Sequence, residues 1–146
     1  MADIRALAVD LQEEIRDFQE QGAAFLAVSQ ESAPADIVER INSFVRQLKQ
    51  DEKSLSEDVV ISLGVLLGEQ YVRRFQWHWG EVIFDGDEEN SQTCVLSPNN
   101  GVAINPIWWV NNVVSTERPT NFLLNFNMVA DGRLPNAQAN EALGFH

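Results

Sequence analysis

The stretch ISLGVLLGEQYVRRFQWHWG, residues 61–80, changes its hydrophobic period within a few residues. Its first part has helical spacing and carries Gly64 and Gly68, whereas its end alternates as a strand does, with Trp77 and Trp79 on one side. A hydrophobic helix that leads directly into a strand predicts an α+β domain. Because the stretch contains no reaction motif, it predicts architecture and not activity.

The helix in this stretch is the third of the chain and is predicted to be central, because apolar residues cover most of its circumference. Ser54 and Glu57 have the spacing of a capping box, so the helix is expected to open near Ser54. Gly64 and Gly68 each cost about 1 kcal/mol of helix propensity relative to Ala. We therefore expect another element to approach the helix closely at these glycines.

Two amphipathic helices are predicted within residues 1–50. The first runs from Ile4 to Phe25, and the second opens with Ser32 as a possible cap and Pro34 in its first turn. Each has an apolar stripe with steps of three or four residues, formed by Ile4, Leu7, Leu11, Ile15, Phe18, Gly22 and Phe25 in the first and by Ile37, Val38, Ile41, Phe44, Val45 and Leu48 in the second.

A small antiparallel sheet of about three strands is predicted after the third helix. Polar turns rich in Gly, Asn and Asp separate the candidate strands, which are Trp77 to Phe84, Gln92 to Leu96 and Gly101 to Asn105. Two short helices are predicted next. The first is capped by Asn105 and begins with Pro106, and the second runs from Thr120 to Asp131 and stops at Gly132.

These elements predict one domain over residues 1–146. Residues 1–50 form its helical N-terminal part, residues 54–131 form a helix-sheet-helix core, and residues 133–146 are expected to be a loosely held tail because they contain little apolar sequence.

The chain is strongly acidic. Its 146 residues include 22 acidic and 10 basic side chains, which give a formal net charge of -12. This charge opposes association with nucleic acid and with anionic lipid, and it favours a basic protein as partner.

Cys94 is the only cysteine, which excludes an internal disulfide and a zinc site built from several thiolates. The first residues mix charge into a helical pattern and do not resemble a secretion signal, and no apolar run is long enough to span a membrane. A cytoplasmic location is predicted. No cofactor is predicted, since neither a phosphate-binding glycine loop nor a dinucleotide fingerprint is present.

Several side chains are candidates for metal binding or catalysis. Asp85, Asp87 and Glu89 alternate as the first ligands of a calcium loop do, but the required Gly and bidentate Glu are missing, so a charged turn is favoured. Cys94 and His78 form the one thiol and imidazole pair available to a hydrolase, yet Cys94 lies in an apolar strand.

A metal site that uses His78 and His146 has no supporting carboxylate spacing. Glu69 and Arg73 lie four residues apart and predict a structural ion pair on the third helix.

The four tryptophans are the main candidate ligand-binding residues, namely Trp77, Trp79, Trp108 and Trp109. Tryptophan is enriched in binding hot spots, although in a small domain it more often belongs to the core. The adjacent Trp108 and Trp109 cannot face the same way on a helix, so at least one of them is expected to be exposed.

Four features within residues 54–130 occur together: the LGxxLGE pattern of residues 63–69, the segment from Phe75 to Trp79, the strand pair that follows, and Ile104-Asn105-Pro106 followed by Val110. In these features the sequence resembles a family of small uncharacterised bacterial α+β domains. The resemblance implies the same fold and a bacterial origin, and it supplies no catalytic residues because the family has no established activity.

Together these features predict a non-enzymatic, cytoplasmic interaction module. The favoured hypothesis is an acidic protein that binds a basic partner, for example an immunity protein that neutralises a toxin. The alternative is a small-molecule-binding domain with a pocket walled by tryptophan. A Cys94 and His78 hydrolase is the third hypothesis.

Overall fold

The computed structural model describes residues 2–84 and 86–146, and this part of the chain is α+β with five α-helices and five strands. The helices are α1 (Val9–Leu26), α2 (Pro34–Gln50), α3 (Glu57–Phe75), α4 (Pro106–Ser115) and α5 (Phe122–Ala130). The strands are β1 (Asp3–Arg5), β2 (His78–Ile83), β3 (Gln92–Leu96), β4 (Val102–Ile104) and β5 (Leu143–Gly144), and a single 3-10 turn spans Glu88–Asn90. None of the described helices has both the length and the apolar character needed to cross a membrane.

The predicted central position of α3 is confirmed. It packs against α1, α2, α4 and β3, and its side chains from Leu63 to Leu67 and at Tyr71 are buried. A helix contacted on several sides needs apolar residues around most of its circumference, which is the pattern seen in the sequence.

The two glycines of α3 lie where neighbouring elements come closest. A Cβ at Gly64 would lie 2.7 Å from the Cα of Ile107, and a Cβ at Gly68 would lie 2.6 Å from the ring of Trp79. A Cβ at these distances would overlap its neighbours unless they moved, so the predicted close approach is confirmed, with Ile107 of α4 over Gly64 and with Trp79 and Pro106 over Gly68.

Helix starts or caps differ from the sequence prediction in α1, α2, α3 and α5. In α2 the N-cap is Ala33 and the predicted Ser32 makes no cap hydrogen bond in the described part of the chain, and α5 begins at Phe122 rather than at Thr120. The cap of α3 is Ser56 rather than Ser54, because the backbone is still extended at Ser56 and its Oγ accepts a hydrogen bond from the Val59 N–H at 3.3 Å. The first helix begins at Val9 and not at Ile4, since Ile4 lies in β1. The predicted cap of α4 is confirmed, with Asn105 Oδ1 accepting from the Trp108 N–H at 3.1 Å.

The strands follow chain order across one curled sheet, β1-β2-β3-β4-β5. The predicted three-strand meander corresponds to β2, β3 and β4, which pair antiparallel. The count of three is wrong, because β1 pairs antiparallel with β2 and β5 pairs parallel with β4. Both added strands are too short to show an alternating pattern of their own, and they form only by pairing with distant parts of the chain.

The last residues are attached to the sheet, in contrast to the expected loosely held tail. Backbone hydrogen bonds join Ala142 to Asn100 and Leu143 to Gly101, at 2.9 and 2.8 Å. Asn125 donates to the Phe145 carbonyl at 3.0 Å, and Ala142 is 1% exposed. The segment is held through backbone pairing, which a count of apolar residues does not register.

Candidate functional site

Two of the four candidate tryptophans belong to the core. Trp77 is buried beside the rings of Tyr71 and Phe75. Trp109 is buried with its ring edge-on to Phe122, and its indole N–H donates to Asn121 Oδ1 at 3.3 Å. Neither ring has an exposed face that a ligand could contact.

Trp108 is the exposed member of the adjacent pair, as predicted, and 49% of it is accessible. Its ring packs edge-to-face on His146, with the ring centroids 5.1 Å apart. It lines a groove of about 630 Å³ between the start of α3, β3 and α4, which also contains Leu55, Ile61 and Ile107.

Trp79 is half-buried and forms one wall of a different cavity. Its indole N–H donates to Glu69 Oε2 at 3.1 Å, and the Gln19 amide donates to the same oxygen at 2.6 Å. The glycine at position 68 allows this arrangement, because any side chain there would displace the indole from α3. The carboxylate of Glu69 is thus oriented by two donors from separate elements, α1 and β2.

Helix α1 forms the opposite wall of this cavity, named here the Glu69 cavity. Gln12, Arg16 and Gln19 are spaced by four and three residues, so they lie along one side of α1 and all line the cavity. The complete lining is Ala6, Leu7, Gln12, Ile15, Arg16, Gln19, Glu69 and Trp79, around a volume of about 360 Å³. This volume lies within the range of small-molecule sites, about 300 to 1,000 Å³.

The two charged residues of the Glu69 cavity, Glu69 and Arg16, do not form an ion pair with each other. The ion pairs found in the described part of the chain join Arg5 to Asp3 and to Glu88, and neither Arg16 nor Glu69 takes part in one. Among residues 2–84 and 86–146, no donor contacts the second carboxylate oxygen of Glu69, Oε1. The cavity therefore offers an oriented carboxylate and a guanidinium, each with capacity for a further partner.

The predicted ion pair between Glu69 and Arg73 is wrong. Arg73 donates to the Ser32 carbonyl at 2.9 Å and to Gln70 Oε1 at 2.8 Å, while Glu69 faces Gln19 and Trp79. The spacing of residues along a helix can indicate only ion-pair partners on that same helix. The real partners of Glu69 come from α1 and β2, so Glu69 was missed as a site residue.

The positions and environments of Cys94 and His78 do not favour a hydrolase site. Strand pairing sets Cys94 opposite Gly80 and His78 opposite Leu96. Cys94 is buried, and burial raises the pKa of its thiol to about 12, which disfavours the nucleophilic thiolate. The His78 ring is exposed and bonds Asn100 Oδ1 at 2.7 Å.

The described residues contain no group of three His, Cys, Asp or Glu side chains placed to hold a metal ion. Asp85, the first residue of the rejected calcium pattern, lies outside the described residues.

The outer face of α1 carries much of the chain's negative charge. Five exposed carboxylates lie on this face, opposite the side that packs on α3, and we call them the acidic face: Asp10, Glu13, Glu14, Asp17 and Glu20. Within the described part of the chain, none of the five is in an ion pair.

Comparison of the chain with protein-family models, with curated proteins and with solved structures finds no match. The resemblance to small bacterial α+β domains therefore stays a prediction, and the functional proposal depends on the geometry of the site.

Proposed function

We propose that the protein is a non-enzymatic binding protein whose Glu69 cavity takes up a small molecule. Small-molecule binding is the second of the hypotheses drawn from the sequence, and the geometry of the cavity favours it over the other two. The observation that carries it is the Glu69 carboxylate, which Trp79 and Gln19 orient at the wall of a cavity of ligand size. Ligand sites combine an apolar surface with a few placed polar groups, and Trp79, Ile15 and Leu7 supply the apolar part.

Trp79 also provides the readout for a test. A metabolite library is titrated into the protein while indole emission and thermal unfolding are recorded. A ligand of the Glu69 cavity should change the emission of the parent protein and of Trp108→Phe, which keeps Trp79. The change should be lost in Trp79→Phe.

The matched pair of variants separates this cavity from the groove at Trp108. A response that survives Trp79→Phe and disappears in Trp108→Phe would move the site to that groove. If no compound alters emission or unfolding temperature, the small-molecule proposal is wrong.

The second candidate function is the binding of a basic protein through the acidic face, as an immunity protein binds a toxin. Its support is the net charge of -12 together with five exposed carboxylates on one side of α1. Opposite charges speed the encounter of two proteins and act less at high salt. The cytoplasmic location predicted from the sequence belongs to the same proposal.

This candidate is tested by converting the five carboxylates of the acidic face to their amides. A control variant carries the same change at five exposed acids elsewhere, namely Glu31, Glu39, Glu52, Glu117 and Asp131. Capture of a basic protein at low ionic strength should be lost in the first variant and kept in the second. Equal capture by both variants would show that net charge alone attracts the partner, and no capture by the parent protein would reject the proposal.

A further inference from the structure

We infer that the Glu69 cavity binds a small zwitterion that carries a primary ammonium group and a carboxylate, as α-amino acids do. This inference rests on the proposed small-molecule function and names the class of ligand.

The acceptors in the cavity match an ammonium group. Glu69 Oε2 is occupied by two donors, which leaves Oε1 to accept from a ligand. The amide oxygens of Gln12 and Gln19 accept no hydrogen bond from the described part of the chain, because the bonds of both amides are made by their nitrogens. An ammonium group has three N–H donors and no acceptor, so one charged and two neutral oxygens suit it.

The guanidinium of Arg16 matches a carboxylate. Arg16 is exposed and lines the cavity on the α1 side, and no described carboxylate lies within ion-pair distance of it. A guanidinium binds a carboxylate through two parallel N–H donors, which fixes orientation as well as charge. A ligand with both groups therefore offers a partner of the right charge to Glu69 and to Arg16.

Ligands with only one of the two charges fit less well. An anion would approach Glu69, which has no neutralising ion pair, in a chain of net charge -12. A simple amine offers no acceptor to the guanidinium of Arg16 and would face its positive charge. The half-buried ring of Trp79 is the main apolar surface for the remainder of the ligand, because Leu7 and Ile15 are only 7% and 6% exposed.

The test is calorimetric titration of the full chain with a panel of L-amino acids. The tightest binder is then compared with its decarboxylated amine and with its deaminated acid. Each truncated compound should bind about tenfold more weakly or worse, because each loses a hydrogen-bonded charge.

Two variants test whether Glu69 binds the ammonium group of the ligand and Arg16 binds its carboxylate. Glu69→Gln keeps an acceptor for Trp79 and Gln19 but removes the charge, so it should weaken the amino acid and the amine by about tenfold and leave the acid unaffected or improved. Arg16→Gln should weaken the amino acid and the acid and leave the amine unchanged. Glu39→Gln and Arg40→Gln, at exposed positions on α2, make the same changes of net charge outside the cavity and should have no effect.

The outcomes separate the ligand class from the function itself. If the amino acid binds and both cavity variants keep full affinity, the inference is wrong. If only a compound without an ammonium group binds, in a manner that depends on Trp79, the inference fails and the proposed function stands. If neither the amino acids nor the metabolite library perturbs Trp79, both fail. Should Glu69→Gln not fold, as judged by circular dichroism, Arg16→Gln decides, because its side chain is exposed.

Discussion

Trp79 and Trp109 both donate their indole N–H to a side-chain oxygen, but the two acceptors differ in kind. Trp109 is fully buried and bonds the neutral amide of Asn121, which precedes α5. Trp79 is half-buried and bonds the carboxylate of Glu69 at the wall of a cavity. A neutral acceptor suits the core, whereas a charge is expensive to bury without a partner. The difference indicates that Trp109 serves the fold and that Trp79 orients a charge at the cavity wall, which is the feature on which the proposed function depends.

Removal of the indole ring should give the largest difference in stability between Trp79 and Trp109. Trp109→Ala should destabilise the protein by about 3 to 5 kcal/mol, because it empties a fully buried site. Trp79→Ala should cost less, since part of this ring already faces the cavity. Urea unfolding followed by circular dichroism measures both.

Trp108→Ala, at the neighbouring exposed ring, is the control and should cost least of the three. An equal or larger loss from Trp79→Ala than from Trp109→Ala would show that Trp79 is a core residue and would remove the basis of the comparison.

The two glycines of α3 sharpen the comparison, because Gly64 lies under α4, which carries Trp109, and Gly68 lies under Trp79. Gly64→Ala should cost about 1 to 3 kcal/mol, since the added methyl group meets the backbone of Ile107, which cannot rotate away. Gly68→Ala should cost less, because the added methyl group meets side-chain atoms of Trp79 and Pro106 and the indole of Trp79 can shift. The gain in helix propensity, about 1 kcal/mol, is common to both substitutions.

The shift of the indole has a second consequence. It should break the hydrogen bond to Glu69, so Gly68→Ala should change indole emission and reduce ligand binding, while Gly64→Ala should leave both unchanged wherever the protein stays folded. A Gly68→Ala protein with native emission would contradict the close contact between Trp79 and α3.

Replacement of the residues that accept the two indole N–H bonds should have smaller effects on stability. Asn121→Ala leaves the buried N–H of Trp109 without an acceptor and should cost about 1 to 3 kcal/mol. Glu69→Gln keeps an acceptor for Trp79 and should change stability by no more than about 0.5 kcal/mol. Unfolding in urea measures the two losses, and exchange of the indole hydrogens reports each bond directly. Asn121→Gln keeps a neutral amide acceptor and is the control. A larger loss from Glu69→Gln than from Asn121→Ala would assign Glu69 to the fold.

The sequence predicted those features that depend on neighbours along the chain. The helical period separates Trp108 from Trp109, and the apolar circumference of α3 with its two glycines predicts a buried rod with close neighbours. The strands β1 and β5 were missed because their few residues become a sheet only by pairing with β2 and β4.

The Glu69 cavity was missed for the same physical reason. The left-handed backbone at Gln76, with φ of 59°, ends α3 and leads the chain into β2, so that Trp79 lies against Gly68 and Glu69. Gln19 comes from α1, 50 residues away from Glu69 in sequence. Local spacing therefore selected Arg73 as the partner of Glu69, although the tryptophan that binds Glu69 was already a candidate.

The last difference between the two regions is a pH dependence of stability, which His146 produces beside Trp109. His146 packs on the rings of Trp108 and Trp109, and in the described part of the chain its Nδ1 is buried without a hydrogen-bond partner. Burial, with a smaller contribution from the charge of Arg118, lowers the pKa of His146 from 6.5 to about 4. The unfolded chain therefore takes up a proton at a higher pH than the folded protein does. The free energy of unfolding should fall as the pH drops from 6.5 towards about 4, and this contribution should be constant above that range.

The measurement compares urea midpoints at about pH 7.5 and about pH 5.5 for the parent protein and for His146→Phe, which keeps an aromatic ring beside the two tryptophans. The parent protein should lose more stability on acidification than the variant, because the two proteins share every other ionisable side chain and differ only at His146. Equal losses would place His146 in contact with water and weaken the assignment of Trp109 to a dry core. Ligand binding at the Glu69 cavity should be the same in both proteins at neutral pH, since the lining of that cavity does not include His146.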